Sequence, residues 1–548
     1  MRSLSQQAKS LIEQLDWQPG WWQALLGDHQ HLQTTLASLG RLAEPASLPH
    51  LLPFAFHRDK TVAKTAREAI RQALDQVSVG DLPWLDDYLR QGHSWLDPAD
   101  GWSSIEPRKI PFLPLPLRSL ATFHRSGFVR QAAVQVMGLA RDGTELPYLL
   151  LRLSDWVDPV RHLASQLVED RLTDDYAGHF LDCQSLIRRL ESRDRSQQQP
   201  ILDRVATLLL RGENLPLLRQ AISGPDRLLS QRAFGIVLAS PQGVDEESVM
   251  LASQSRDSVT RLRSVRAMPT LLEKSSALEK SSALEKDSIR ERLTQLGDDP
   301  FMPVRREALT TRIDQLGESP SAASRHLFDH HASLRYLARY YLGRSSADYA
   351  ELYRQALTQD RPGADAPRES LIGAISGLSE TGDSSDTAQL ENLLSHSSAT
   401  VRQKVIRAIA RLDSDRSKGI CLTALESASP RVSREASNCL SRAAARGEEV
   451  RLQEIFARSP LLHVKRNALF LLSGLPKWQS LPYLLQGVRS DHPEIEALAR
   501  GFLRKWLLHF NRDFSQPPPG AEDRFWQEMG KTENRLSAKT RKALEFLF

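Results

Sequence analysis

The sequence predicts an all-α protein built as an α-solenoid of about fourteen antiparallel helix pairs. A helical pattern recurs about every 31 residues over residues 45–510, and no run of alternating β-branched residues bounded by hairpin turns appears. Of the 548 residues, 41% are hydrophobic and 25% are charged. Because this composition supports a large buried core, we do not expect a disordered chain.

The repeated pattern is an aliphatic residue followed four positions later by alanine. In residues 154–172, 298–316 and 328–344 an aspartate also stands five positions before the aliphatic residue, and an arginine follows it directly. The pairs are Val62/Ala66, Val129/Ala133, Val160/Ala164, Leu229/Ala233, Val304/Ala308, Leu334/Ala338, Val432/Ala436, Val464/Ala468 and Ile495/Ala499, with weaker copies at Val259/Arg263 and Val401/Val405. Three gaps of about two periods predict degenerate copies near residues 95, 195 and 370.

Helix geometry explains this pattern. Val160, Leu163, Ala164 and Leu167 fall on one stripe of a helix, and the alanine allows a neighbouring helix to approach closely. The apolar segment 146–153 is predicted to be the partner helix. Two helices per period cannot close a core alone, so successive pairs are expected to stack. The polar residues predicted to cap the second helices are Asp155, Asp299, Asp329, Ser427 and Ser459.

These residues resemble the short HEAT-like repeats, which also occur in relatives of the phycobilin lyases, over about 85% of the chain. The resemblance implies a right-handed superhelix in which the turn aspartate and the helix arginine form a structural ladder between units. It thereby implies structural roles for Arg130, Arg161, Arg305, Arg335 and Arg402. The resemblance does not specify a function, because the same scaffold serves adaptors, nucleic-acid binders and a few enzymes.

The periodicity divides the chain into four regions. They are N-terminal capping helices at 1–44, two halves of the repeat array at 45–320 and 321–511, and a proline-rich linker with one C-terminal capping helix at 512–548. Trp17, Trp21 and Trp22 either cover the end of the array or anchor a partner.

Two segments interrupt the first half of the array. Residues 91–117 contain five prolines and are predicted to be an irregular loop, either functional or a degraded repeat with an ordered surface loop. Residues 274–285 repeat the unit KSSALE and are predicted to be an inserted polar helix.

The cysteines and the lengths of the apolar stretches indicate the cellular compartment. Cys183, Cys421 and Cys439 form no CxxC pair, which argues against a disulfide framework and thiolate zinc sites, so we expect small core thiols in a reducing compartment. No stretch approaches about 18 uninterrupted apolar residues, and the N-terminus lacks an apolar signal core. We therefore predict a soluble, cytoplasmic protein with no membrane partner.

The sequence contains none of the common enzyme motifs considered below. The GKT at 530–532 has Phe525 where a phosphate-binding loop requires glycine, and no GxSxG elbow is present. None of the fifteen histidines is followed by glutamate, which excludes an HExxH zinc helix and the His-Glu pairs of HEAT-repeat di-iron hydroxylases. We predict no catalytic residues and no cofactor.

Residues 325–354 concentrate polar aromatic side chains, with five of the nine tyrosines. If Leu334 and Ala338 face the core with Leu337 and Tyr341, then Arg335 and Arg339 share one exposed row and Tyr336 and Tyr340 the next. Paired arginine and tyrosine suit a phosphate, a carboxylate or a base edge. Alternatively, the tyrosines only fill the groove between repeats.

Further candidates follow from the same register. Arg306, Arg434 and Arg466 stand two positions after the aliphatic residue, in line with Tyr336. On a concave face they would form an electropositive track, diluted by neighbouring acids such as Glu307 and Glu435.

His326 and His330, spaced by one helical turn, are a weak candidate for a metal site. The alternative is that Asp329 caps the helix and the histidines lie in a solvated turn.

Three functions remain after these exclusions. The leading hypothesis is a non-catalytic scaffold that holds a protein partner on its concave face. The alternative is a nucleic-acid binder whose arginines contact phosphates. The net charge alone does not indicate such a function, because an excess of +5 is spread over a large surface. The third is an enzyme of the repeat-lyase or alkylated-base glycosylase kind.

Overall fold

The computed structural model describes residues 3–15, 29–90, 102–191, 199–240, 244–277, 283–359, 368–442, 447–512 and 514–546. Trp17, Trp21 and Trp22, the degenerate copy near residue 95 and the centre of the KSSALE duplication lie outside these ranges. All regular structure within them is helical, with no strand, which confirms the predicted all-α class. Among the described helices, none has both the length and the apolar character needed to cross a bilayer.

Two compact units divide the chain, Met1–Thr311 and Arg312–Phe548. The α-helices of the first unit are α1 (Gln6–Leu15), α2 (Gln30–Leu42), α3 (Leu48–Leu51), α4 (Lys60–Leu74), α5 (Leu82–Arg90), α6 (Leu115–Ala121), α7 (Gly127–Met137), α8 (Leu146–Arg152), α9 (Asp158–Glu169), α10 (Ala177–Asp182), α11 (Gln184–Glu191), α12 (Gln199–Leu209), α13 (Leu215–Ser223), α14 (Arg227–Leu238), α15 (Glu246–Ser253), α16 (Ser258–Ala277), α17 (Ala283–Leu296) and α18 (Met302–Thr310).

The second unit continues with the same kind of element. Its α-helices are α19 (Ala332–Leu342), α20 (Ser346–Gln359), α21 (Arg368–Thr381), α22 (Thr387–Glu391), α23 (Ala399–Leu412), α24 (Ser414–Leu425), α25 (Pro430–Arg442), α26 (Glu449–Arg458), α27 (Leu462–Ser473), α28 (Lys477–Val488), α29 (Pro493–His509), α30 (Ala521–Thr532) and α31 (Ala538–Glu545). Short 3-10 helices include Pro107–Phe112 in the first unit and Pro320–Phe328 in the second, and Thr311–Gln315 is a π-helical turn.

Helices pack in pairs joined by short turns, and each unit is a stack of such pairs. In the first unit α8 packs on α9 and α13 on α14, and in the second α24 packs on α25, α26 on α27 and α28 on α29. The second helix of each pair also contacts the second helix of the next pair, as α7 does with α9, α23 with α25 and α25 with α27. Each unit is therefore a HEAT-like α-solenoid, as predicted.

The alanine of the repeated pattern sits where helices meet. Ala66, Ala133, Ala164, Ala233, Ala308, Ala338, Ala436, Ala468 and Ala499 are all fully buried. Helices α12 and α21 occupy the gaps near residues 195 and 370, where the sequence predicts degenerate copies. The repeated alanines therefore mark where second helices meet their neighbours. The 31-residue spacing predicts helices in the two described gaps that lack the alanine pattern.

The copy assigned to Val259 and Arg263 is wrong by one residue. Val259 is exposed, whereas Thr260 and Ser264 are fully buried at the same spacing. The Thr260 hydroxyl lies 3.0 Å from the Asp257 carboxylate, and the Ser264 hydroxyl donates to the Arg261 carbonyl at 2.7 Å. Internal hydrogen bonds thus allow two small polar residues to occupy the core stripe, which a hydrophobic pattern cannot detect.

The C-terminal segment forms two helices rather than the single predicted one. A 3-10 turn at Glu533–Arg535 follows α30, and α31 begins at its own N-cap, where the Ser537 hydroxyl accepts from the Thr540 amide at 3.2 Å. Phe525, Met529 and Leu544 are buried in the core that α26–α29 share. The turn and the new N-cap divide the segment into two helices, and both helices remain packed on the last helix pairs.

Candidate binding surface

The turn between paired helices has one recurring hydrogen bond. The side chain five positions before the aliphatic residue accepts from the backbone amide two residues later, at 3.0 Å from Asp155 to Val157 and at 2.8 Å from Asp299 to Phe301. The residues that accept in this way are His57, His124, Asp155, Ser255, Asp299, Asp329, His396, Ser427, Ser459 and Ser490.

These residues therefore form the turn itself. The prediction that Asp155, Asp299 and Asp329 cap the second helices is wrong, because the helix caps lie two residues later, at Val157, Phe301 and His331, and use no side chain. The same correction applies to Ser459, whose hydroxyl accepts from the Leu461 amide at 3.2 Å. A short acceptor two residues before a helix fits an Asx-type turn as well as a cap, so composition alone does not separate the two.

The arginine after the aliphatic residue closes this turn. Its guanidinium donates to the backbone carbonyl six residues earlier, at 2.6–2.9 Å in all six copies. The six are Arg130, Arg161, Arg261, Arg305, Arg335 and Arg402. Five of them are the arginines to which the family resemblance assigns a structural role.

Some of these arginines also bridge consecutive repeats. Arg130 pairs with Asp155 of the next turn at 2.8 and 2.9 Å, and Arg261 pairs with Asp299 at 2.6 and 3.0 Å. Asp155 additionally accepts from Arg152 at 3.0 Å, and Arg152 also pairs with Asp86. We refer to five side chains as the Asp155 cluster: Asp86, Arg90, Arg130, Arg152 and Asp155.

Arg335 does not lie in an exposed row, contrary to the sequence prediction. It is 3% exposed, pairs with Glu380 of α21 and donates to the Asp329 carbonyl at 2.6 Å. Arg339 is also largely covered; it pairs with Glu380 at 2.9 Å and donates to the Tyr353 hydroxyl at 3.3 Å. Both arginines turn toward the neighbouring helix, because a buried carboxylate there compensates their charge.

The other predicted side chains are at the surface. Tyr336 is 68% and Tyr340 70% exposed on α19. Arg306 on α18, Arg434 on α25 and Arg466 on α27 are exposed, and none makes an ion pair with a described residue. The position two after the aliphatic residue thus faces solvent in each of these second helices, as the register predicts.

The two histidines of the weak metal candidate differ in exposure. His326 is 3% exposed and lies 3.3 Å from the Arg325 guanidinium, whereas His330 is exposed, so only His330 lies in a solvated turn. The described residues instead bring Asp329, His330 and His331 together, with ligand atoms within 4.8 Å. Since Asp155 and Asp299 have the same turn geometry without adjacent histidines, the turn accounts for Asp329 without a metal ion.

Lys404 on α23 and Glu380 on α21 lie near Arg335 and Arg339, although neither was predicted from the sequence as a binding residue. Glu380 lies in a degenerate copy, so no alanine pattern sets its register. Lys404 stands three positions after Val401, the place that Leu163 and Leu337 hold on the core-facing stripe, and a lysine at that place was the available signal. We refer to six side chains as the Lys404 cluster: Arg335, Arg339, Glu380, Lys404, Arg407 and Glu435.

The two remaining predictions concern the thiols and the loop. Cys183, Cys421 and Cys439 form no disulfide and are buried, and burial raises the pKa of the Cys183 thiol. Of the 91–117 loop, only residues from 102 onward are described; there Trp102 and Ile110 are buried, and the Trp102 carbonyl lies 3.2 Å from the His124 ring. The described part is an ordered surface segment.

Three solved structures illustrate what this chain resembles. A crystal structure of importin beta in an ammonium sulfate condition is 13% identical over 99% of this chain and 74% of its own, with a TM-score of 0.29. The crystal structure of Kap121p is 12% identical over 99% of this chain and 68% of its own, with a TM-score of 0.34. Kap95p from a study of its binding to RanGDP is 10% identical over 98% of this chain, with a TM-score of 0.27, and this chain spans 65% of its length.

No protein-family model and no curated protein sequence matches this chain. At TM-scores below 0.5 the structural likenesses carry no argument about function, so the fold assignment rests on the helices themselves. The paired-helix repeat of about 31 residues, with its side-chain-closed turn and arginine clamp, gives each unit the fold of a HEAT-like α-solenoid.

Proposed function

We propose that this chain is a non-catalytic scaffold that holds a protein partner on the surface formed by the second helices of its second unit. The observation that carries the proposal is the repeated exposure of large side chains at one helical position. Arg306, Tyr336, Arg434 and Arg466 all stand two residues after the buried aliphatic residue, and all are exposed. Tyrosine and arginine are the residues that contribute most to protein–protein binding.

Exposed aromatic side chains on the same helices add support. Tyr340 follows Tyr336 by one turn on α19, and Phe470 is 47% exposed one turn after Arg466 on α27. Aromatic side chains are enriched in protein–protein interfaces, and here they recur on the second helices beside cations that have no ion pair with a described residue. The combination favours a protein surface.

The nucleic-acid alternative is weakened by neutralising acids. Glu307 pairs with Arg266 at 3.0 Å, and Glu435 pairs with Arg407 at 2.7 Å. A surface whose arginines alternate with carboxylates attracts a continuous line of phosphates less strongly than an unbroken row of arginines does. Nucleic acid therefore enters only as an outcome of the test below.

The test compares two double charge reversals in neighbouring helices. Arg434→Glu with Arg466→Glu alters the second-helix surface, and the control, Arg451→Glu with Arg458→Glu, makes the same charge change on the first helix α26. Each full-length chain captures proteins from a nuclease-treated lysate, the retained protein is identified and purified, and its Kd is measured. We expect the Kd to rise at least about tenfold for the first variant only, since two cationic contacts are lost.

Two results would overturn the proposal. One is the loss of every retained protein after nuclease treatment, which favours nucleic acid. The other is equal binding of the purified protein to both variants, which places the contact elsewhere on the chain.

A further inference from the structure

The Lys404 cluster contains two covered carboxylates that are already saturated. Glu380 accepts from Arg335 and, at 2.9 Å, from Arg339. Glu435 accepts from Arg407 at 2.7 Å and from the Gln403 amide at 2.9 Å. Among the described residues neither carboxylate forms an ion pair with Lys404, and the ion pairs of each are with arginines.

Lys404 lies among these pairs without a partner of its own. Its side chain is half-buried on α23, and it makes no hydrogen bond or ion pair with any residue that the structure describes. Its helix packs against α21, which carries Glu380, and against α25, which carries Glu435. Arg407 and Arg335 therefore repel its ammonium, and Glu435 and Glu380 attract it. Burial, with these two arginines, lowers the pKa of Lys404 from its usual 10.5, as expected for a cation short of negative charge.

The charge count gives the cluster a net positive charge. Four cationic side chains, Arg335, Arg339, Lys404 and Arg407, face two carboxylates, Glu380 and Glu435. Because part of this excess is withdrawn from water, solvent screens it poorly, and an anion placed against it gains more than at an open surface.

We infer that Lys404 binds a carboxylate of an acidic segment of the protein partner, at the centre of the second unit's second helices. The inference rests on the proposed function and specifies the chemistry of the partner. The exposed rings of Tyr336 and Tyr340 lie on α19, the same helix as Arg335 and Arg339. A segment with acidic and apolar side chains in alternation therefore matches both features.

Nucleic acid fits the same cluster poorly. Second helices spaced by about 10 Å place the span from α19 to α25 at roughly 30 Å. A DNA duplex of that length carries more than about a dozen phosphates, because one charge occurs per ~1.7 Å. An excess of two positive charges neutralises few of them, whereas it matches two carboxylates of a peptide.

The experiment measures binding of a short fluorescent peptide of alternating glutamate and leucine to the full-length chain by anisotropy. Lys404→Gln should weaken binding by about tenfold, the loss typical of one charge-assisted contact. Lys418→Gln, which removes a partly exposed lysine that pairs with Asp415 at 3.3 Å on the first helix α24, is the control and should leave the Kd unchanged. A peptide with glutamine in place of glutamate should bind at least about tenfold more weakly than the acidic peptide.

The outcomes separate this inference from the proposed function. Absence of acidic-peptide binding, or equal Kd values for Lys404→Gln and Lys418→Gln, overturns the inference. A single-stranded DNA of equal charge that binds as tightly and is equally sensitive to Lys404→Gln also overturns it. If the captured protein depends on Arg434 and Arg466 but not on Lys404, the scaffold proposal stands and the acidic-segment inference fails.

Discussion

The two charge clusters of this protein use the same side chains to different ends. In the Asp155 cluster three arginines surround two aspartates, and Asp155, Arg130 and Arg152 are almost completely withdrawn from solvent. In the Lys404 cluster four cations surround two carboxylates, and Lys404 itself remains half-exposed and unpaired with any described residue. The first cluster is closed upon itself, whereas the second has a cation available at the surface.

The difference shows how one repeat chemistry can serve either packing or binding. A buried arginine is stabilised by a carboxylate held close to it, and Asp155 pairs with three arginines at once. Within the Asp155 cluster burial even raises the pKa of Asp86 to about 6, although Arg152 opposes that change. In the Lys404 cluster both carboxylates pair with arginines, and Lys404 has no ion pair with a described residue.

Removing the central acid of the closed cluster should have the largest effect. Asp155→Ala leaves Arg130 buried without a counter-charge and leaves Arg152 with Asp86 alone, and we expect a loss of about 3–5 kcal/mol in unfolding free energy. Hydrogen exchange in α7, α8 and α9 measures it, since repeats open locally. Asp158→Ala, at an exposed carboxylate, is the control and should cost less than about 1 kcal/mol. Equal effects would show that the closed cluster does not stabilise the stack.

The same operation on the Lys404 cluster should be milder and should also alter binding. Glu380→Gln removes the negative charge shared by Arg335 and Arg339 but keeps an acceptor, and we expect a loss of roughly 2–3 kcal/mol. The cluster then has a larger positive excess, so the acidic peptide should bind a few-fold more tightly. Glu391→Gln, at a solvent-accessible pair, should change neither quantity appreciably. Weaker peptide binding by Glu380→Gln would contradict the charge count.

The smallest effect concerns Lys404 itself and depends on pH. Because its pKa is lower in the folded state than its usual 10.5, the unfolded chain binds the proton more strongly, and this penalty disappears as the pH rises toward 10.5. At neutral pH Lys404→Met should therefore raise the unfolding free energy by roughly 0.5 kcal/mol, a figure reduced for the solvent that reaches the amine.

Urea denaturation of both chains over a pH series checks this prediction. The difference between Lys404→Met and the unaltered chain should shrink as the pH approaches 10.5. Lys418→Met serves as the control for general effects of removing a lysine. A difference that is constant with pH, or a destabilised variant, would show that the amine is compensated.

Much of the fold was accessible from the sequence because its periodic part is local. The aliphatic residue and its alanine lie one helical turn apart, and the arginine donates to a carbonyl only six residues earlier. Both features therefore appear as a repeated pattern in the amino-acid sequence. The prediction failed where a buried polar side chain replaced an apolar one, as at Thr260 and Ser264. It also failed at Arg335, whose exposure depends on Glu380 in a copy without the pattern.

The sequence by itself determined the all-α class, the helix-pair repeat and the solvent-facing position that carries Tyr336, Arg434 and Arg466, because these follow from helical periodicity over a few residues. Only the tertiary structure decided which cations are neutralised. Arg130 meets its carboxylate 25 residues away, Arg335 meets its own 45 away and Arg152 meets Asp86 at 66. Electrostatic compensation is a property of packed neighbours, and the unpaired state of Lys404 emerges only when those neighbours are in place.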